Sequence, residues 1–298
     1  MKIPIVFLGT SQAIPTAKRN HTAVLIKYKN ETILIDCGEG TQRQFRKAKL
    51  NPCKITRALI THFHGDHVLG IPGLLQTLAL NNYNKTLNIY GPEGISKFVR
   101  LMQEMFVFKD RLDIKISEVN GKFLETEEFC IESFPLKHGI PTNAYVFVEK
   151  DKIRIDKKKL AKLNLPNSPL LGEIQKGKDI KINGKAIKAK ELTYKEKGKK
   201  IAVILDTSIT DECYKAAKNA DLLIAEATYS EKDKDLALEN KHLTASDAAR
   251  IAKRAKVKHL VLTHISQRYQ KNEKILLDEA RKIFKNTELA EDLMSMEV

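Results

Sequence analysis

The chain has 298 residues, 42% hydrophobic and 30% charged, the composition of an ordinary globular protein, which excludes disorder as a whole-chain reading. No stretch approaches the roughly 18 consecutive apolar residues of a membrane span, and the apolar run 3–8 passes straight into Gly9-Thr10-Ser11 as a strand and turn would, so a cytoplasmic protein with no membrane partner is expected. The net charge of +15 is uneven: from Lys150 to Lys200 seventeen basic side chains face six acidic ones, a net +11, leaving +4 for the other 247 residues. Such a block suits a polyanion, because phosphate neutralisation dominates nucleic-acid affinity, and a solvated charged face is the alternative.

In chain order, strands are expected at 3–8, 23–28 and 32–36, the last two divided by a turn at 29–31, as an opening β meander. A helix follows at 39–49, a short apolar strand at 58–60, and amphipathic helices at 71–81 and 94–106. Strands return at 87–90, 114–118, 129–135 and 145–148. The stretch 151–198 breaks this rhythm with a short helix at 157–163, the run Leu165-Pro166-Asn167-Ser168-Pro169, and brief β runs around 180–189. Its weak apolar periodicity predicts an insertion that projects from the body and forms no core. Strands at 201–205, 222–225 and 259–262 then alternate with helices at 211–217, 245–255 and 273–284, the middle helix opened by Thr244-Ala245-Ser246-Asp247. The pattern predicts one layered α/β domain over 1–298 with the basic segment 151–198 inserted into it. The four cysteines, Cys37, Cys53, Cys130 and Cys213, form no C-x-x-C pair and read as free thiols.

The run Thr61-His62-Phe63-His64-Gly65-Asp66-His67 directly follows the strand 58–60 and places four potential metal ligands within six residues. Imidazole and carboxylate suit zinc, and a turn centred on Gly65 lets these side chains converge where a regular helix would not. One run cannot supply two ions, so further donors are expected at other strand ends. His138, Asp206 and His264 each sit just past a hydrophobic strand, the relation His62 has to its own. Asp36, His21 and His259 read as structural.

This run resembles the signature of the metallo-β-lactamase superfamily, whose fold is a four-layer αββα sandwich. More narrowly the chain is similar to the tRNase Z family, endonucleases that trim the 3′ trailer from precursor tRNA. The resemblance is carried by Phe7-Leu8-Gly9-Thr10, Asp36-Cys37-Gly38-Glu39-Gly40-Thr41-Gln42, Glu226-Ala227-Thr228-Tyr229, His242-Leu243-Thr244-Ala245 and Leu262-Thr263-His264-Ile265-Ser266-Gln267-Arg268-Tyr269. It implies two Zn2+ per subunit, with Mn2+ or another divalent ion possible: His62, His64 and His138 on one, Asp66, His67 and His264 on the other, Asp206 bridging. It also implies that Asp66 orients or deprotonates the nucleophile, and that His242, oriented by Glu226, protonates the leaving oxygen. The segment 151–198 becomes an exosite arm, and the partners become precursor tRNA and a second copy in a homodimer, with no nucleotide cofactor. Lys18, Arg19 and Arg268, with Lys157, Lys158 and Lys159 of the basic segment, are the candidate substrate contacts.

The chain departs from the family's pattern in three places: Pro15-Thr16-Ala17-Lys18-Arg19-Asn20 carries its Lys one position late for P-x-K-x-R-N, Asn167-Ser168-Pro169 replaces a Gly-Pro step, and Leu205 replaces a Gly before Asp206. Another hydrolase of the superfamily, a phosphodiesterase or thioester hydrolase, would use the same first ligand run. A zinc-stabilised RNA-binding scaffold is the non-catalytic alternative.

Overall fold

The structure, a computed structural model, describes residues 2–106, 112–162, 170–182 and 185–298. The chain divides into two compact units, one of Met1–Leu124, Ile131–Phe147 and Lys200–Val298, the other of Glu125–Cys130 and Val148–Lys199.

Two seven-stranded sheets dominate. The first runs Ser295–Glu297, Pro4–Gly9, Ala23–Tyr28, Glu31–Ile35, Arg57–Leu59, Thr86–Gly91, Asp113–Glu118. The second runs Thr287–Leu289, His259–Thr263, Leu222–Glu226, Lys200–Ile204, Pro141–Glu149, Phe129–Lys137, Gly121–Glu125. Strands such as Pro4–Gly9 are apolar without alternation because both faces of the first sheet are buried. On one face Val6, Leu8, Leu25 and Leu34 pack with Leu74, Leu75 and Leu78 of the helix Ile71–Leu80 and Val99 of the helix Ile95–Met105. The opposite face turns to the second sheet, where the rings of Tyr28 and Phe147 lie 5.2 Å apart and the Tyr145 hydroxyl donates to the Ile60 carbonyl at 2.7 Å. Helices Asp211–Ala217, Ala245–Arg254 and Lys274–Ile283 pack on the second sheet, giving four layers. The capping box at the middle one is formed as its sequence predicts: Thr244 Oγ1 accepts from the Asp247 N–H, and Asp247 Oδ2 accepts from the Thr244 N–H.

The arrangement positions a site because neighbouring strands run parallel. Glu31–Ile35, Arg57–Leu59 and Thr86–Gly91 form parallel pairs in one sheet, and Lys200–Ile204, Leu222–Glu226 and His259–Thr263 in the other. Each set therefore delivers its carboxyl ends to one edge, the usual place for a ligand site in such sheets.

The second unit pairs Lys152–Ile155 with Thr193–Glu196 and Ile180–Ile182 with Lys185–Ile187, both antiparallel, and carries helices Lys157–Lys162, Leu170–Gln175 and Ala189–Leu192. Against the expectation from its weak periodicity, it has a small core of its own: Ile174, Ile180, Ala189 and Leu192 are buried together, with Ile155, Leu160, Leu171 and Ile187 against them. The run Leu165-Pro166-Asn167-Ser168-Pro169 lies outside the described residues.

Candidate metal centre and active site

His62 follows the strand Arg57–Leu59, Asp206 follows Lys200–Ile204, His264 follows His259–Thr263, His138 follows Phe129–Lys137, and Glu226 ends Leu222–Glu226. Asp66 and His67 are held differently from the expectation. In place of an open turn around Gly65, Gly65–Val68 is a single helical turn with His64 at its amino end. It is pinned to the chain after the strand Glu31–Ile35, Cys37 N–H donating to the His67 carbonyl and Gly70 N–H to the Cys37 carbonyl, both at 2.8 Å.

These ends gather every metal candidate into two groups that share Asp206: His62, His64, His138 and Asp206, and Asp66, His67, Asp206 and His264. His64 Nδ1 lies 3.0 Å from His62 Nε2 and 3.2 Å from His138 Nε2. In the other group His264 Nε2 lies 3.2 Å from both His67 Nε2 and Asp66 Oδ2. Asp206 divides its oxygens: Oδ2 is 3.6 Å from His62 and His138 Nε2, and Oδ1 is 3.2 Å from His264 Nε2.

The hydrogen bonds around the rings fix their protons. His67 Nδ1 faces the Asp36 carboxylate at 2.6 Å and His138 Nδ1 the Lys241 carbonyl at 3.0 Å; both partners only accept, so both nitrogens donate. The Thr61 hydroxyl donates to Asp36, leaving its oxygen to accept from His62 Nδ1 at 3.0 Å. The Thr228 hydroxyl donates to Glu226 Oε2 at 2.6 Å, leaving its oxygen to accept from His264 Nδ1 at 2.8 Å. Four imidazoles so oriented turn their Nε2 atoms inward, onto one another and onto two carboxylates. Asp206 Oδ1 is buried with no hydrogen-bond donor. Lone pairs crowded in this way are stable only around a cation, and the outer hydrogen bonds are those that tie metal-ligating histidines in place. A divalent metal therefore fits these residues.

The electrostatics agree. Burial pushes the Asp66 and Asp206 carboxyls up, but the facing imidazoles, His67 foremost for Asp66 and His264 for Asp206, hold both well below the usual carboxylate range. Burial pushes His67 down, but Asp206, Asp36 and Asp66 raise it well above an ordinary imidazole, the pull a metal cation would feel. Burial lowers His62 and His64, keeping them neutral as ligands must be. Non-glycine residues in the left-handed region recur here, Asp36 at φ 57°, Asp206 at 40° and His264 at 58°, and such strain gathers at functional sites.

Beside the cluster, His242 Nδ1 lies 2.8 Å from Glu226 Oε2 and 3.9 Å from Asp206 Oδ2. Glu226 is fully buried, and its Oε1 accepts the Thr207 N–H at 2.7 Å. Burial opposes charge on His242, but Glu226 and then Asp206 raise its pKa to about 9. His64 is exposed and the His242 side chain is 13% exposed, whereas the other donors are buried, so the site opens on this side.

The remaining candidates scatter. Arg19 is turned inward, against the expectation of a substrate contact: its guanidinium clasps Glu273 at 2.7 and 2.6 Å and donates to Thr10 Oγ1 and the Ala290 carbonyl, four of its five donors. Lys18 is exposed beside Arg43 and Lys47 on a cleft of about 570 Å3. Arg268 lies over the Tyr229 ring at 5.3 Å, and that ring is 5.9 Å from the ring of His242. Lys157, Lys158 and Lys159 are exposed on the second unit, where Asp156 caps their helix.

Sequence reasoning missed Thr61, Thr207 and Thr228, and read Asp36 only as structural. Asp36 does accept the Thr61 N–H at 2.7 Å, but it also aims His67. Its place just past a strand was the available signal.

Two facing sheets with a His/Asp cluster at the carboxyl ends of their strands define a protein of the metallo-β-lactamase fold with a candidate metal centre. The Bacillus subtilis metallo-β-lactamase-fold protein YhfI superposes with a TM-score of 0.71, covering 100% of this chain and 99% of that one at 19% identity. The model of the family described as Anti-Pycsar protein Apyc1 matches residues 3–138, under half of the chain, which include His62, His64, Asp66, His67 and His138. Ribonuclease Z of Methanothermobacter thermautotrophicus is 40% identical over 296 residues, 99% of this chain and 96% of that protein, and ribonuclease Z of Archaeoglobus fulgidus is 38% identical over 100% and 98%. The crystal structure of human tRNase Z, short form, is 30% identical with a TM-score of 0.71 over 98% of both chains. The chain belongs to the ribonuclease Z family.

Proposed function

We propose that the protein is a metal-dependent endoribonuclease that removes the 3′ trailer from precursor tRNA, leaving a tRNA 3′-hydroxyl and a 5′-phosphorylated trailer. Full-length likeness to ribonucleases Z supports the substrate. The observation that carries the chemistry is the set of four imidazoles whose protons are fixed outward, so that their lone pairs and the Asp66 and Asp206 carboxylates face one centre.

On this reading His62, His64 and His138 hold one ion, Asp66, His67 and His264 a second, and Asp206 serves both; the nitrogen and oxygen donors suit zinc, with Mn2+ the next choice. Two such ions, when bound, lower the pKa of water and stabilise the attacking and leaving oxygens of an in-line displacement at phosphorus. Asp66, held ionised, orients the attacking water. His242 gives Nδ1–H to Glu226, which leaves Nε2–H as the proton for the departing 3′ oxygen. The Thr207 N–H and Thr228 hydroxyl fix Glu226, so this proton is aimed by buried groups. Arg268, spread over Tyr229 beside His242, meets a phosphate of the bound RNA, and Lys18 a more distant one. Residues 151–198, with Lys157, Lys158 and Lys159, form an arm that binds tRNA, and the protein acts as a homodimer in the cytoplasm.

The test is to map the ends produced from a precursor tRNA bearing a 3′ trailer. Wild type should leave a 3′-hydroxyl at the trailer junction and Asp206→Asn should leave the precursor intact. Hydrolysis of a small phosphodiester with no cut in the RNA would favour another hydrolase of the superfamily.

A further inference from the structure

Lys241 stands directly before His242 and ends the helix Lys234–Asn240 in the left-handed region, at φ 57°. Its backbone carbonyl is already engaged, accepting the His138 Nδ1 proton at 3.0 Å. Its side chain lies along Gly139, the residue after His138: a Cβ built on Gly139 would meet Lys241 Nζ at 3.0 Å, Cδ at 3.7 Å and Cε at 3.9 Å. Gly139 is itself exposed. The ring of His138 lies 4.9 Å from that of His64 and 4.8 Å from that of His242, the two rings on the open side of the cluster. The Lys241 ammonium is therefore held at the mouth of the site, beside the donors and outside them.

Among the described residues Lys241 makes no ion pair, and its ammonium donates no hydrogen bond. The acids of the site are committed elsewhere: Asp66 and Asp206 face the imidazoles, and Glu226 takes the Thr207, Thr228 and His242 donors. An ammonium with three unspent donors, packed along a backbone at the rim of a centre that gathers cations, raises the potential over the mouth, and an incoming anion lowers that energy. A compact point charge of this kind suits a phosphate oxygen. We infer that Lys241 binds a phosphate of the RNA backbone next to the scissile one, and so sets how the strand lies before His242. The inference rests on the RNA substrate proposed above. The contact is separate from that of Arg268, which reaches His242 by way of Tyr229.

The chain supplies a matched control. Lys256 is an exposed lysine in the same backbone conformation, at φ 56°, but it lies at the amino end of the strand His259–Thr263, whose carboxyl end carries His264. The experiment compares Lys241→Met, Lys241→Asn, Lys241→Arg and Lys256→Met in the full-length, metal-loaded protein. Asn tolerates the left-handed region, so it keeps the turn should Met unsettle it. The probe is a precursor tRNA with a non-hydrolysable linkage at the trailer junction, followed by fluorescence anisotropy across a salt series. Lys241→Met and Lys241→Asn should bind about tenfold more weakly at low salt, and their slope of log K against log salt should flatten by about 1, the loss of one phosphate contact. Lys241→Arg, which keeps the charge, and Lys256→Met should stay within about twofold of wild type and keep its slope. Metal content should equal wild type in all of them, because the carbonyl that holds His138 belongs to the backbone. Neutral Lys241 variants that bind with the wild-type slope, or that lose metal as they lose RNA, would overturn the inference. If wild type binds the probe and shows this difference yet cuts no precursor, the proposed function fails and the Lys241 contact stands.

Discussion

Two residues set the chemistry apart from mere metal binding. His242 lies 3.9 Å from Asp206 but 2.8 Å from Glu226, the arrangement on which the proposed role in proton delivery rests. His242→Ala should keep the wild-type metal content and lose about 100-fold or more in turnover, in line with removal of a positioned general acid; loss of metal on elemental analysis would return His242 to the ligands. Thr228 joins the two proposed functions, accepting from His264 and donating to Glu226, the partner of His242. Thr228→Val should weaken metal affinity by about 10- to 100-fold, the usual cost of losing a group that orients a ligand, and Thr228→Ser should restore it. A titration that finds valine and serine equal would deny the hydroxyl this role. His138, Asp206 and His264 were legible in the sequence because each stands just past an apolar strand, and His62, His64, Asp66 and His67 because they crowd into one short run. Asp36 obeys the same rule and could have been read. Thr228 could not, since a hydroxyl two residues past a strand has no feature that separates it from a packing threonine. Arg19 shows the converse limit: its charge suggested a surface partner, whereas Glu273 and Thr10 draw it inside.

At the scale of elements, the helical turn Gly65–Val68 depends on a close backbone approach. A Cβ on Gly70 would come within 2.1 Å of the Gly38 carbonyl oxygen and 2.8 Å of that of Cys37. The Gly70 N–H bond to Cys37 and the Cys37 bond to His67 would have to part. Gly70→Ala should therefore displace Asp66 and His67 and cut bound metal by at least half, measured as metal per folded chain; undiminished metal would show that the turn finds its place without this contact. A four-residue helix lies below the length at which apolar periodicity speaks, which is why the sequence suggested an open turn here. The edge strands Thr287–Leu289 and Ser295–Glu297, three residues each, escaped notice for the same reason. Longer strands such as Ala23–Tyr28 and Lys200–Ile204 were legible from their apolar content, and the helix Ala245–Arg254 from its capping box.

At the scale of the molecule, the charge asymmetry and the two units coincide: the +11 segment falls almost entirely within Val148–Lys199. The core of this unit was hidden in the sequence because Ile174, Ile180, Ala189 and Leu192 are single apolar residues spaced among lysines. The segment leaves and returns at neighbouring backbone, the Glu149 N–H donating to the Lys199 carbonyl at 2.8 Å, so a short turn can replace residues 151–198. That replacement should raise KM for precursor tRNA by about tenfold or more through lost phosphate contacts and leave hydrolysis of a small phosphodiester intact. Loss of both activities in a folded variant would place the segment in the catalytic machinery.

On the proposed function, the inward-facing His/Asp cluster cuts precursor tRNA only when loaded with metal. The measurement is to strip the protein with chelator, titrate zinc back, and follow trailer release beside metal content. The stripped protein should not cleave, and activity should recover and saturate at two ions per chain, with the cut at the trailer junction. Cleavage by fully stripped protein, or full zinc loading with an intact precursor, would contradict it.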